Sequence, residues 1–148
     1  MTFKYQIRVR LVIINDDKLL LEYVTDEDFY FYPGGRVENY ETIKSAAERE
    51  MQEELGVQFT FKKILYIREF IEPDQEEHSL EMFVLGELDN YDISKNKDDP
   101  DYKENHEFSW VDINKLPDKL YPVTLTKKLA ADFHQDFPNQ GEYLGAAK

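Results

Sequence analysis

The chain has 148 residues, which is enough for one domain with a substantial hydrophobic core. Hydrophobic residues make up 41% of it, which excludes a disordered chain, and the absence of cysteine excludes disulfides and thiolate metal sites. The formal net charge of −13 disfavours binding to DNA or RNA but leaves open a small phosphorylated ligand whose contact a divalent cation mediates.

The first part of the chain is predicted to form strands separated by polar breaks. Apolar and polar residues alternate over residues 5–13, which is typical of a half-buried strand. Residues 15–17 supply a turn, so residues 18–23 are predicted to return as the second strand of a hairpin. Residues 29–32 form a short aromatic strand, which the Pro-Gly-Gly sequence at residues 33–35 stops.

The middle of the chain changes from the period of a strand to that of a helix. Residues 41–55 have a helical period, and Gly56 is a typical residue to end such a helix. Residues 58–71 are predicted to form one or two strands. A polar turn at residues 73–77 then precedes a further strand at residues 78–88.

The C-terminal part is predicted to contain a loop, a strand and a helix. Residues 89–106 are charged and have no clear period, and residues 107–111 form a short strand with the only tryptophan. Apolar residues at every fourth position predict a final helix over residues 123–137, and we expect the tail after residue 138 to be frayed. No repeat or linker divides the chain, so residues 1–148 are predicted to form a single mixed α and β domain.

The sequence has neither the pattern of a membrane span nor that of a signal peptide. No apolar run approaches the roughly 20 residues that a membrane-spanning helix needs, and the first residues lack the apolar core of a signal peptide. We therefore expect a soluble, cytoplasmic protein without a membrane partner.

Acidic residues occupy unexpected positions on the helix predicted over residues 41–55. At about 100° per residue, Glu50 and Glu54 fall inside the apolar arc of this helix, with Glu53 at its edge. Two carboxylates one turn apart repel each other, and partial burial makes the repulsion costly unless a cation neutralises it. Oxygen ligands clustered in this way are typical of a Mg²⁺ or Mn²⁺ site. The alternative is a solvated face, which acidic helices most often have.

The Pro-Gly-Gly sequence ahead of the helix is a second candidate feature of such a site. Glycine lets the backbone turn sharply between strand and helix, and carbonyl groups exposed there can join the ligands of a metal. The alternative is an ordinary strand-to-helix turn that binds nothing.

Taken together, these residues resemble a complete Nudix box. Gly35 is followed after five residues by Glu41, and after seven more by the sequence Arg-Glu-Met-Gln-Glu-Glu-Leu-Gly-Val at residues 49–57. The order of the flanking strands is similar to that of the Nudix fold. The resemblance implies an α+β architecture, in which a mixed β-sheet is sandwiched between helices and the box forms a loop, a helix and a loop.

The resemblance also implies a reaction. Nudix enzymes typically hydrolyse a nucleoside diphosphate linked to another group, and they release a nucleoside monophosphate and a phosphorylated remainder. We expect a small nucleotide such as ADP-ribose or a nucleotide sugar. Pro73 lies sixteen residues beyond the box, as in ADP-ribose pyrophosphatases, and the alternative is an ordinary proline in a polar turn. Nucleoside triphosphates and dinucleoside polyphosphates are the alternatives. The implied cofactor is Mg²⁺ or Mn²⁺.

The resemblance assigns the metal ligands position by position. Glu50 and Glu54 are implied to be the principal ligands. Glu53 is implied to be a further ligand or the carboxylate that activates water, and the Gly34 carbonyl an additional ligand.

Four other box residues are implied to be structural. An acid at the start of a helix suits the helix dipole, which fits Glu41, and an arginine such as Arg49 can brace the carboxylates. Gly35 and Gly56 are expected to allow the turns at the two ends of the box.

The general base and the substrate contacts stay open. A carboxylate must accept a proton from the attacking water, and the candidates are Glu53 on the helix and Glu104 and Glu107 outside the box. Arg36 is a candidate contact for a phosphate and Tyr32 for a base. A surface charge and a core aromatic residue are the simpler interpretations of these two.

Two other functions compete with the enzyme. A Nudix-like domain can serve as a nucleotide-sensing module, but such modules usually carry a DNA-binding domain or a degraded box. An acidic Ca²⁺-binding protein is disfavoured because the sequence has no EF-hand loop pattern. A homodimer stays open as the assembly, although the chain lacks the extra N-terminal strands that many ADP-ribose enzymes use to dimerise.

Overall fold

The computed structural model describes residues 4–148 of the chain. Within these residues it contains nine strands and two α-helices, which are β1 (Lys4–Asn15), β2 (Lys18–Val24), β3 (Phe29–Phe31), β4 (Gly34–Arg36), α1 (Ile43–Leu55), β5 (Phe59–Glu72), β6 (Glu77–Leu88), β7 (His106–Asp112), β8 (Leu120–Tyr121), α2 (Val123–His134) and β9 (Glu142–Tyr143). Each predicted strand and helix is present in this part of the chain. The short strands β4, β8 and β9 are additional.

The strands join into one mixed sheet with β1 at its centre. Neighbouring strands follow the order β8-β3-β2-β1-β6-β5-β9, while β4 pairs with β1 and β7 pairs with β2. β1 runs parallel to β6 and antiparallel to β2 and β4. β2 and β3 therefore lie on one side of β1 in the sheet, and β5 and β6 lie on the other.

Hydrophobic side chains cover both faces of the sheet. The core on the side of α1 consists of Val9, Leu11, Ile13, Leu20, Ala46, Ala47, Met51, Leu55, Val57, Phe59, Val84 and Leu88. The core on the side of α2 consists of Val12, Leu19, Leu21, Tyr32, Leu65, Tyr66, Phe83, Ile113, Leu120, Leu125, Leu129 and Phe137. A mixed sheet with a helix on each face is the α/β/α sandwich that we predicted.

The burial of β1 depends on where α1 covers it. Val9, Leu11 and Ile13 are fully buried beside α1, whereas Tyr5 and Ile7 on the same face are 56% and 38% exposed. The alternation of apolar residues therefore predicts which face is apolar, but the position of the helix decides which part of it is buried.

The Pro-Gly-Gly sequence does not form the turn that we predicted. Gly34–Arg36 forms β4, which pairs with β1 so that Gly35 lies opposite Val9. Gly34 has a φ of 136°, and a Cβ there would lie 2.0 Å from the carbonyl oxygen of Val9. Only glycine permits this close backbone approach.

Both ends of α1 are capped. The side chain of Thr42 accepts a hydrogen bond from the N–H of Ser45 at 2.9 Å, and the Ser45 hydroxyl accepts one from the N–H of Thr42 at 2.9 Å. At the other end, Gly56 has a left-handed φ of 68° and donates its N–H to the carbonyl of Gln52. These caps define the helix that contains the acidic residues.

The second helix is shorter than predicted. α2 ends at His134 rather than at Phe137, because Asp136 and Phe137 have positive φ angles of 57° and 47°. The side chain of Phe137 is nevertheless buried in the core, which explains why it follows the helical period. Neither helix of the described residues has the length and apolar sequence that spanning a membrane requires.

The expectation that the tail after residue 138 is frayed is wrong. β9 pairs in parallel with β5, and the N–H of Leu144 donates to the carbonyl of Ile67 at 2.8 Å. The edge of β5 offers main-chain donors and acceptors that even a short polar segment can pair with. A polar composition therefore does not show that a terminal segment is unpaired.

Candidate functional site

The acidic residues of α1 lie on the sides of the helix that their positions predict. Glu50 is 6% exposed, and Glu53 and Glu54 are half-buried, whereas Glu48 on the other side of the helix is exposed. The Oε2 atom of Glu54 is buried and has no hydrogen-bond partner among residues 4–148. A buried carboxylate oxygen without a donor is costly, so this position suits a bound cation or a donor from a ligand.

Gly35 makes room for the Glu50 carboxylate. A Cβ at this position would lie 2.4 Å from Glu50 Oε1, which is closer than a Cβ atom approaches its neighbours in folded proteins. β4 therefore brings its backbone directly against the acidic side of α1, and Gly34 lines the same cavity. Gly35 serves a close approach rather than the turn that the sequence suggested.

Arg49 braces the acidic side chains. Its guanidinium donates to both carboxylate oxygens of Glu41, at 2.7 and 3.0 Å, to Glu50 Oε1 at 3.0 Å and to Glu53 Oε2 at 3.3 Å. It also donates to the carbonyl of Arg36 at 2.9 Å. The hydrogen bond from Arg49 holds the pKa of Glu41 below its ordinary value. Glu41 and Arg49 thus fix the start of α1 relative to its acidic residues.

Glu22 on β2 joins the acids of α1, although it is not among the predicted site residues. It is 8% exposed and lines the same cavity as Glu50 and Glu54. Burial raises the pKa of Glu22 to about 7, although the charge of Arg10 opposes this shift. The available signal was an acid within the apolar run of the second strand, since a buried strand seldom carries a carboxylate.

Burial raises the pKa values of all three acids, Glu22, Glu50 and Glu54. Burial raises the pKa of Glu54 well above its ordinary value, and the charges of Glu22 and Glu50 add to this effect. Burial also raises the pKa of Glu50, while the charge of Arg49 opposes it. Such a cluster favours either bound protons or a cation, and Mg²⁺ and Mn²⁺ prefer carboxylate oxygens. These residues therefore fit the divalent cation that the sequence resemblance implies.

The loop between β6 and β7 brings two further acids to the end of α1. Asn96 anchors this loop, because its N–H donates to the carbonyl of Glu54 at 2.9 Å and its side-chain amide donates to that of Glu53 at 2.8 Å. Carboxylate oxygens of Glu53, Asp99 and Asp101 lie within 4.8 Å of one another. The loop has no periodicity, so its sequence gives no signal for this arrangement.

Cationic side chains line the same cavity, which has a volume of about 410 Å³. They are Arg8, Arg10, Arg36, Arg49, Lys95 and Lys103. Arg36, the predicted phosphate contact, is exposed and lines the same cavity as Glu50 and Glu54. Acids and cations in one cavity suit a ligand whose phosphates bind a metal on one side and guanidinium groups on another.

Two predicted site residues lie elsewhere. Glu107 is exposed on β7, while His106 and Phe108 on either side of it line the cavity. Because side chains alternate along a strand, Glu107 points away from the site, and the prediction that it acts there is not supported. Tyr32 is 1% exposed and packs edge-on against Phe83 with the ring centroids 5.2 Å apart, so its ring belongs to the core, and it borders a second cavity rather than the one that contains the acids.

Comparison with protein families identifies the domain. A model described as the NUDIX domain matches residues 4–133, which is most of the chain. The comparison with curated proteins finds no match.

Solved structures with the same fold include several hydrolases. A MutT NUDIX hydrolase from Burkholderia pseudomallei is 23% identical, with 87% of this chain and 97% of that chain covered and a TM-score of 0.67. An ADP-ribose pyrophosphatase from Streptococcus suis is 19% identical, with 95% and 98% covered and a TM-score of 0.65. A UDP-X diphosphatase is 19% identical, with 97% and 68% covered and a TM-score of 0.70. At these identities, the likeness establishes a shared fold.

Proposed function

This chain belongs to the NUDIX domain family of phosphoanhydride hydrolases, and we propose that it hydrolyses a nucleoside diphosphate linked to another group. The observation that carries the proposal is the cluster of Glu22, Glu50 and Glu54 around a buried carboxylate oxygen without a donor. Arginine side chains line the same cavity. A diphosphate complements this arrangement, because it can share a divalent cation with the acids and bind the arginines directly.

In this proposal, Glu50 and Glu54 hold the cation, with Glu22 and the Gly34 carbonyl as neighbouring oxygen ligands. Gly35 and Arg49 position Glu50, the first by leaving space for its carboxylate and the second by a 3.0 Å hydrogen bond. A bound Mg²⁺ or Mn²⁺ would neutralise charge on the phosphate oxygens and lower the pKa of a bound water.

The remaining roles follow from exposure and charge. Arg36 and Arg10 bind the phosphates and keep the scissile bond beside the acidic cluster. Glu53 is half-buried and borders Asp99 and Asp101, so it can accept a proton from water outside the innermost cluster. The water oxygen bonds to one phosphorus, the anhydride bond breaks, and the products are a nucleoside monophosphate and the phosphorylated remainder.

The substrate class rests on the names of proteins with this fold. A pyrophosphatase of ADP-ribose and a UDP-X diphosphatase both act, by their names, on a nucleoside diphosphate joined to another group. Such a molecule is therefore the first candidate here, and ADP-ribose and nucleotide sugars are its simplest members. Nucleoside triphosphates, the alternative that the sequence resemblance leaves open, are the second candidate.

A substrate panel tests the proposal. The protein is incubated with ADP-ribose, nucleotide sugars and nucleoside triphosphates in Mg²⁺ or Mn²⁺, and the products are separated by chromatography. We expect a nucleoside monophosphate from at least one diphosphate-linked compound and none in excess EDTA. Binding without turnover of every compound would instead favour a nucleotide-sensing module, and full activity in EDTA would refute the metal site.

A further inference from the structure

A second cavity adjoins the site and has no role in the proposed reaction. It has a volume of about 700 Å³, which is within the range of small-molecule sites. It shares Arg8, Arg10 and Phe31 with the cavity that contains the acids, so a single ligand can extend from one into the other. We call it the aromatic cavity, because Phe29, Phe31, Phe70 and Tyr121 all line it.

The aromatic rings of this cavity come from different strands but remain accessible. Phe29 and Phe31 lie on β3, Phe70 lies on β5 and Tyr121 lies on β8. The three phenylalanines are half-buried and Tyr121 is 47% exposed. Core aromatics are normally covered completely, so accessible rings that converge on one concave surface indicate a place for a flat apolar ligand.

A buried ion-pair network connects the aromatic cavity to the phosphate side. Glu81 is 5% exposed, and its carboxylate accepts hydrogen bonds from Arg68 at 2.5 Å and from Arg10 at 3.1 Å. Arg10 also lies over the ring of Phe31, 5.8 Å from its centroid. The network therefore holds Arg10 at the boundary between the two cavities. There it can bind a phosphate of a ligand that extends from one cavity into the other.

The chain after β9 completes the wall of the aromatic cavity. Residues 146–148 line it, and they follow the region that matches the family model. Hydrogen bonds to their main-chain carbonyl groups hold them in place. Arg68 Nε donates to the carbonyl of Ala147 at 2.6 Å, and Thr124 N–H donates to that of Lys148 at 3.1 Å. The same Arg68 thus binds both this wall and Glu81.

We propose that the aromatic cavity binds the nucleobase of the substrate by stacking, and that residues 146–148 form a wall that limits which base fits. The proposal rests on the proposed function, since it assumes that the phosphates lie beside Arg10 and the acids. Stacking on accessible aromatic rings is favourable for any base, and a wall on one side adds the discrimination that stacking alone lacks.

Nucleosides without phosphate test the cavity separately from catalysis. Adenosine, guanosine, cytidine, uridine and, as a control without a base, ribose are titrated into the full chain in EDTA while amide chemical shifts are followed by NMR. We expect at least one nucleoside to shift the amides of Phe31, Phe70 and Ala147, and ribose to leave them unchanged. The absence of nucleoside-specific shifts at these residues would overturn the proposal.

Matched variants of β5 sharpen the test. Phe70→Leu removes a ring that lines the cavity, whereas Phe61→Leu makes the same change at a half-buried residue packed in the core beside α1. We expect Phe70→Leu to weaken nucleoside binding about tenfold and Phe61→Leu to leave it within about twofold. Equal weakening in both variants would refute stacking in this cavity.

A substitution in the wall gives an independent readout. Ala147→Phe adds volume to the wall but keeps the main-chain carbonyl that Arg68 binds, and it should weaken binding of purine nucleosides more than of pyrimidine nucleosides. An unchanged order of preference would refute the role of the wall. Nucleoside binding as predicted without hydrolysis of any diphosphate would refute the proposed function alone, and hydrolysis without a preference for a base would refute the cavity alone.

Discussion

Replacing Glu22 with glutamine tests whether the acidic cluster is strained without a cation. Glu22 has a pKa of about 7 in the folded protein and an ordinary value of 4.5. Between these values the folded state holds more protons than the unfolded state, so the free energy of unfolding falls as the pH rises from about 4.5 to 7. A shift of this size corresponds to about 3 kcal/mol, since each pH unit contributes ~1.4 kcal/mol.

Glutamine cannot titrate, so the Glu22→Gln variant should lack this part of the pH dependence. The pKa values of Glu50 and Glu54 are also raised, so their contribution has the same sign and persists in the variant. The contribution from Glu54 should shrink, because the charge of Glu22 is one cause of its shift. Between pH 5 and pH 8, the unfolding free energy of the variant should therefore fall by roughly 2.5 kcal/mol less than that of the wild-type protein.

Urea unfolding in EDTA at pH 5 and pH 8 measures this difference. Glu48→Gln is the control. Because Glu48 is exposed on α1, this variant should keep the wild-type pH dependence. Adding Mg²⁺ at pH 8 should restore stability to the wild-type protein by binding the ionised cluster. The reasoning is refuted if the wild-type protein and Glu22→Gln show the same change in unfolding free energy between the two pH values.

Three further changes test the site. Glu54→Gln should lower kcat about 100-fold or more in a steady-state assay with Mg²⁺, whereas Glu48→Gln should keep it within about twofold; equal losses would contradict the assignment of the acidic face. Gly35→Ala should leave the melting temperature within a few degrees but weaken Mn²⁺ binding about tenfold in a titration, because the added Cβ displaces the flexible end of Glu50. Glu107→Gln should leave kcat and KM within about twofold, and a 100-fold loss would return Glu107 to the site.

Local periodicity predicted most of the fold and the acidic side of α1. The helical period places Glu50 on the buried side and Glu48 on the exposed side, because the geometry of a helix fixes which residues share a face. The same logic predicted the alternation of β1. It did not predict that Tyr5 is exposed, since coverage by a helix is a tertiary property.

The parts of the site that the sequence did not predict depend on contacts between distant segments. Glu22 reaches the cluster because β2 lies in the same sheet as β4, and Asp99 reaches it because Asn96 binds the end of α1. No pattern in the loop indicates that anchor. Glu107 and Tyr32 were chosen by residue type alone, and in the structure Glu107 faces away from the acidic cluster while Tyr32 packs in the core at the border of the second cavity.

The electrostatics of the cavity link stability to the proposed reaction. Glu22, Glu50 and Glu54 pay a desolvation penalty that a hydrophobic residue would avoid, and Arg49 offsets it only at Glu50. The fold keeps the acids together through Gly35, which admits the Glu50 carboxylate, and through a loop tied to the end of the helix. An arrangement that destabilises the cation-free protein but leaves the scaffold intact would be stabilised by a bound divalent cation, as the proposed function requires. The arginines of the same cavity suit a ligand that is itself anionic.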